Sequence, residues 1–249
     1  MAILAYHKVD NKFELGLTNV TPKMFERQVA GLKQRGVNLS LTAEEAAASS
    51  RAVYLTFDDG YDCFYRNVAP LLLRVRAKAT VFVISDYVGK ENEWDLRLSY
   101  KRFRHMNAAQ LREVAAMGFV VGSHSCSHKD LTRLDRKFAR DELRNSKMEI
   151  EDLIGREVEE VSFPFGRYDH GTIELAKEVG YKKFYGLGST GSPNVFGRIP
   201  VYRIDTPSAV RRKVEMNRYE ILKSDFVHSF AVISALILTR KQKLLKGEN

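Results

Sequence analysis

The sequence predicts an α/β fold, a parallel sheet of βα units sized for one barrel domain. Three observations carry that reading. Short apolar runs alternate with stretches of helical period. Those helical stretches begin on capping residues and end on glycines. Polar or special-backbone groups follow four of the apolar runs, at the strand ends where a parallel α/β barrel presents its functional groups. With 249 residues and a 44% hydrophobic share, the chain can bury one sizeable core.

Strands are expected at 2–6, 52–57, 79–84, 119–123, 158–163 and 181–185, with a further one at 199–204. Between the first two, Thr21-Pro22 reads as an N-cap followed by proline at the first helical position. Phe25, Val29 and Leu32 then share a face as far as Gly36. Thr42 with Glu45, and Asn107 with Gln110, have capping-box spacing. Gly118 and Gly155 stand where helices stop, and 137–154 reads as a long helix with Leu143, Ile150 and Ile154 inward. Pro70 interrupts an otherwise helical stretch, so a kink or break is expected there.

Composition bounds the partners. The net charge is +9, and 198–249 carries +6 of it, from 11 Lys/Arg against 5 Asp/Glu. No basic stripe is interleaved with aromatics, so nucleic acid is not an expected partner. The two cysteines, Cys63 and Cys126, form no disulfide framework or zinc ribbon, and Cys126 reads as a small packed residue. The first residues lack both a basic n-region and a long apolar run, which leads us to expect a cytoplasmic protein. The run 226–238, broken by His228, Ser229 and Ser234, falls short of the roughly 20 residues of a membrane span. It is either a buried core helix or an amphipathic surface that docks on an anionic membrane or a membrane-bound glycosyltransferase. Arg240, Lys241, Lys243 and Lys246 would assist such docking. The expected organisation is a catalytic domain over 1–205 and a basic, partly apolar helical appendage over 206–249.

The four strand ends carry the chemistry. His7 follows the first, Asp58 and Asp59 the second, His124 the fourth, and Pro164-Phe165-Gly166 the fifth. Adjacent carboxylates repel, which a bound cation or a shared proton relieves. Alone, Asp58-Asp59-Gly60 reads equally well as a solvated Asx-type turn. His124 and His128 add two imidazoles at i, i+4, on one face of a helical turn. With one acid they make a 2-His-1-carboxylate set that leaves positions open for water and substrate. Ser123 and Ser125 are expected to hold that loop through backbone hydrogen bonds.

Three motifs in this order, Thr56-Phe57-Asp58-Asp59-Gly60, His124-Ser125-Cys126-Ser127-His128 and Phe163-Pro164-Phe165-Gly166, resemble the polysaccharide deacetylase family, carbohydrate esterase family 4 or NodB-homology domain. The resemblance runs from about residue 52 to 168. It implies a distorted, incomplete (β/α)7-type barrel and a hydrolase that removes the N-acetyl group of an amino sugar in a glycan or lipid-linked precursor. It implies Asp58 as general base and Asp59, His124 and His128 as ligands of a divalent metal, usually Zn2+. The Phe165 backbone N–H, held by Pro164 and Gly166, is the implied oxyanion donor.

Three departures stand out. Ser162 occupies the position of an arginine that steadies the catalytic base, and Arg167, Arg198 or Arg203 could stand in for it. Phe165 replaces a tyrosine, a mild change where the donor is backbone. The expected late Leu-x-His is absent. Instead Tyr6-His7-Lys8-Val9 resembles the opening of a subfamily related to poly-N-acetylglucosamine deacetylases, which makes His7 the candidate general acid. Otherwise His7 is a strand-capping histidine. Trp94 either roofs the sugar site by stacking on a pyranose or anchors its loop. His105 and His170 are expected at the surface. Two alternatives remain: hydrolysis of another amide or imide bond, and an inactive glycan-binding module.

Overall fold

Parallel strands inside a barrel are covered on both faces, so they read as continuous apolar runs. The computed structural model describes residues 2–14, 16–39, 42–49, 51–93, 102–188 and 192–216. β1 (Ala2–Tyr6) is buried throughout and leads into a small parallel ribbon of β2 (Lys8–Val9) and β3 (Asn19–Val20). β4 (Val53–Phe57) and β5 (Ala79–Val83) are likewise buried end to end. β6 (Val120–Ser123), β7 (Glu160–Ser162), β8 (Lys183–Leu187) and β9 (Val195–Pro200) complete a closed ring in the order β1-β4-β5-β6-β7-β8-β9. All its pairings are parallel, and the ring closes where Leu4 meets Ile199 and Ala5 meets Pro200.

Four strands are trimmed by one or two residues at either end, and two are shifted. β9 starts four residues earlier than 199–204, because Val195 pairs with Phe184 and the register then runs to Leu187–Arg198. The shift places Arg198 inside the strand. β8 starts at Lys183, and Tyr181 instead packs ahead of it, its hydroxyl donating to the Leu143 carbonyl at 2.9 Å.

The helical punctuation is realised. Thr21 accepts from the Met24 N–H at the head of α1 (Pro22–Gln34), which buries Phe25, Val29 and Leu32. α2 (Ala43–Ala47) opens on the Thr42–Glu45 capping box. Around Pro70 the helix is broken into a π-helical turn, Phe64–Val68, followed by α3 (Ala69–Arg74) with the proline in its first turn. α4 (Ala108–Ala116) opens on the Asn107–Gln110 box. α5 (Arg136–Ile154) ends at Gly155, φ 67°, and α6 (His170–Val179) is capped by Asp169. α7 (Pro207–Val214) lies in the segment read as an appendage; it packs on α1 and buries Ala209 and Val210. The 226–238 run, His228 and the basic residues after it lie outside the described residues, as does Trp94. Among the described residues no helix is long and apolar enough to cross a membrane.

The barrel interior is a filled core with polar ends. Towards the N-terminal end of the strands, Glu160 accepts from Thr80 at 2.8 Å and pairs with Lys183 at 3.2 Å. Phe82 and Tyr185 pack in the middle, ring centroids 5.0 Å apart. Above their rings lies the Arg198 guanidinium, at 5.3 and 5.9 Å. Gly122, two residues before His124, makes room for this stack. A Cβ there would lie 2.6 Å from a Phe82 ring carbon and 3.0 Å from the Glu160 carbonyl oxygen. Gly122→Ala is therefore expected to destabilise the fold by about 1–3 kcal/mol, read as a lower midpoint in urea unfolding.

Candidate metal centre

Backbone ladders carry the site residues one step past their strands. Asp58 N–H donates to the Tyr6 carbonyl at 2.9 Å, and His124 N–H to the Val83 carbonyl at 2.8 Å. The next residues leave the extended conformation abruptly. Asp59, Ser125, His128 and Phe165 all have positive φ, between 57° and 71°. They are four of the six such non-glycine residues among the described ones. Strained backbone clusters where a fold must hold groups that its elements would not place unaided.

This strain corrects one expectation. His124 and His128 do not share the face of a helical turn. Their segment is a bent loop, folded by Ser125 at φ 63° and His128 at φ 57°, and the rings meet at 4.8 Å. The serines hold it as expected: Ser123 Oγ accepts from the Ser125 N–H at 3.2 Å, and Ser125 Oγ from the His128 N–H at 3.1 Å. Ser127 is tied to α5 through Glu142, which accepts its N–H at 2.9 Å.

The loop brings both imidazoles to one oxygen. The Nε2 atoms of His124 and His128 each lie 3.7 Å from Asp59 Oδ1. That is beyond hydrogen-bond range. Ligands at about 2.0–2.2 Å from a shared ion are spaced on this scale. The three candidate ligand atoms all lie within 4.8 Å of one another, and the three residues are buried. His124 Nδ1 donates to the Ser162 carbonyl at 2.7 Å, which fixes the tautomer and turns Nε2 to the centre. Burial pushes the pKa of both imidazoles down, His124, His7 and His105 further lower that of His128, and neutral imidazole is the form that binds metal. Donor type, spacing and protonation thus fit a divalent metal ion.

Asp58 belongs to a different partner. Arg198 grips both its oxygens, Nη1 to Oδ1 at 2.7 Å and Nη2 to Oδ2 at 3.0 Å. The guanidinium also donates to Thr56 Oγ1, to the Gly186 carbonyl and, at 2.7 Å, to Ser162 Oγ. Arg198 is fully buried and Asp58 is 2% exposed. Burial alone would raise the Asp58 pKa, but Arg198, with His124 and His7, outweighs it and holds the carboxyl well below the usual range. The open choice among three arginines is closed by geometry. Arg167 pairs with Asp130 at 2.9 Å, and Arg203 donates to the Glu14 carbonyl at 2.7 Å. Ser162, at the position of the missing arginine, is small enough to admit Arg198 and supplies it an acceptor.

His7 is coupled electrostatically to the same residues, Asp58, Arg198 and His124. Burial lowers its pKa to about 4 against the opposing pull of Asp58, with Lys8, Arg198 and His124 lowering it further. Its Nδ1 makes no hydrogen bond among the described residues. Across the site, Phe165 sets its ring edge-on to His128 at 4.6 Å. The N–H groups of Gly166 and Arg167 are spent on the carbonyls of Phe163 and Pro164 at 2.9 and 3.1 Å. The Phe165 N–H makes no such bond among the described residues. Gly166 must be glycine: at φ 67° its Cβ would lie 2.5 Å from Leu187 Cβ and 2.7 Å from Leu187 N.

Two further placements bear on the sequence reading. His170 is exposed at the start of α6, as expected. His105 is not at the surface: it is 1% exposed, and its Nδ1 lies 2.8 Å from the Asp59 carbonyl oxygen. Nothing in the local pattern marks it, because its segment reaches the site through long-range pairing with Tyr61.

Residues 45–184 match the family model for polysaccharide deacetylase. YxkH of Bacillus subtilis (strain 168) is 28% identical over 206 residues, 80% of this chain and 67% of that protein. The poly-beta-1,6-N-acetyl-D-glucosamine N-deacetylase of Staphylococcus aureus (strain MSSA476) is 24% identical over 178 residues, 68% of this chain. The chain spans 61% of that enzyme's length. In fold, it is similar to the deacetylase PplD of Streptococcus pyogenes, with TM-score 0.72, 22% identity and coverage of 86% of this chain and 97% of that one. The chain belongs to the polysaccharide deacetylase family.

Breaking a buried ion pair by removing one partner costs about 3–5 kcal/mol. Arg198→Met is expected to lose that much in chemical denaturation. The Arg198→Met/Asp58→Asn double variant is expected to lose clearly less than the sum of the two single changes. Additive losses would show that the two side chains are not coupled.

Proposed function

We propose that this chain is a metal-dependent N-deacetylase of N-acetylated amino sugars, with a β-linked N-acetylglucosamine glycan as the first substrate class to test. The observation that carries this reading is the division of labour between adjacent acids: Asp59 faces two imidazoles, while Asp58 stays ionised on Arg198. The substrate class is supported by the staphylococcal relative, which is named for that polymer.

Two imidazole nitrogens and one carboxylate oxygen, with positions left open, suit Zn2+ best, and other divalent ions can use the same donors. A metal held by Asp59, His124 and His128 supplies Lewis acidity and an acidified water. Asp58 accepts a proton from the water as its oxygen attacks the acetamide carbon. The Phe165 N–H donates to the oxyanion that forms there. Negative charge on that centre acts on His7 in the same direction as Asp58, raising its proton affinity. His7, protonated from solvent, passes that proton to the departing nitrogen as the C–N bond breaks, giving a free amine and acetic acid, and the acid and Asp58 then return their protons to solvent to leave acetate.

The absent motif arginine leaves room for hydrolysis of another amide or imide, but Arg198 supplies that cation from another strand. A glycan-binding module without turnover is separated by assay. The Zn2+-loaded protein is expected to release acetate from N-acetylglucosamine oligomers, to stop with chelator and to recover with Zn2+. Asp58→Asn is expected to lower turnover by roughly 10²- to 10⁴-fold while leaving metal content unchanged. Oligomer binding by the wild type without acetate release from any N-acetylated glycan would favour the binding module instead.

A further inference from the structure

Asp59 is the only carboxylate of the triad, and it hangs from a backbone at φ 71°. Such a conformation is strained for a non-glycine residue and persists only where its surroundings enforce it. The carboxylate can therefore be no better placed than the peptide that carries it. That peptide is met from outside the motif by the His105 side chain.

His105 Nδ1 lies 2.8 Å from the Asp59 carbonyl oxygen. A carbonyl only accepts, so Nδ1 carries a proton. Nε2 makes no hydrogen bond among the described residues, so the ring contributes one directed bond, and that bond goes to Asp59. The ring itself is fixed. It stacks on Tyr61 at 4.6 Å and 27°, and Tyr87 leans on it at 5.4 Å. Its backbone is laced to the turn that it supports. Asp62 N–H donates to the Arg104 carbonyl, and Met106 N–H to that of Gly60, each at 2.9 Å. His105 N–H donates to Lys90 at 2.9 Å, so the far side is anchored too.

We propose that His105 is a positioning residue for the metal ligand Asp59, holding the strained 59–60 peptide so that the carboxylate stays aimed at His124 and His128. This inference rests on the metal-centre reading. It assigns the loop before α4 a part in metal affinity, although none of the family-like motifs includes it. A histidine kept only for packing would be replaceable by any ring of its size. One kept for its Nδ1–H would not.

The test uses the full chain and three variants. Phe in place of His105 keeps a ring on Tyr61 and removes the donor. His105→Asn places an amide N–H at the Nδ1 position, and His105→Gln places it further out, at the Nε2 position. Zn2+ and Co2+ affinities are measured by competition with a chromogenic chelator, and the visible spectrum of bound Co2+ reports coordination geometry. His105→Phe is expected to weaken metal binding about ten- to a hundredfold and to alter the Co2+ bands. His105→Asn is expected to stay near the wild type and His105→Gln to fall between. If His105→Phe does not fold, the Asn and Gln variants decide. Unchanged affinity and bands in His105→Phe, or equal losses in Asn and Gln, would overturn the proposal. A wild type that takes up neither ion would sink the metal centre itself, a result distinct from either.

Discussion

The upper half of the barrel is organised around the Arg198–Asp58 pair. A guanidinium with no exposure sits where a parallel barrel would ordinarily put an aliphatic side chain. It is tolerable because polar partners converge on it from three strands: Thr56 and Asp58 from β4 and its end, Ser162 from β7, and the Gly186 carbonyl from β8. Desolvating such a pair is costly, so it is weak evidence for stability. Its consequence is chemical. The bidentate grip keeps Asp58 ionised, so two adjacent carboxylates have different partners.

Ser162 joins the two halves of the site. Its hydroxyl accepts from Arg198, while its carbonyl accepts from His124 Nδ1. The orientation of a metal-ligating imidazole and that of the Asp58 clamp therefore depend on one residue at the end of β7. Where the family pattern has an arginine in this position, this chain has a small acceptor and brings its cation in from β9. The cation beside Asp58 thus comes from β9 and not from β7.

Most of the architecture was legible in the sequence because its signals are local. Caps at Thr21, Thr42 and Asn107 and the stop at Gly155 each depend on neighbours a few residues away. The triad and Asp58 were legible because they follow strand ends. What local pattern concealed was set by pairing across the barrel. Placing the last strand at 199–204 left Arg198 outside it, whereas its true register carries Arg198 inward opposite Leu187. The helical spacing of His124 and His128 suggested a turn of helix. Two left-handed residues instead deliver the same convergence from a loop. His105 carried no pattern at all, since the Tyr61 bridge that buries it spans more than forty residues of sequence.

The central claim is that one acid serves the metal and its neighbour serves the arginine. A crystal structure of the Zn2+-loaded protein, with the ion located by anomalous scattering at the zinc edge, tests it most directly. The expected result is one zinc on Asp59 Oδ1 and on Nε2 of His124 and His128, with Asp58 still held by Arg198. A zinc coordinated by Asp58, or one bound away from the two histidines, would contradict it.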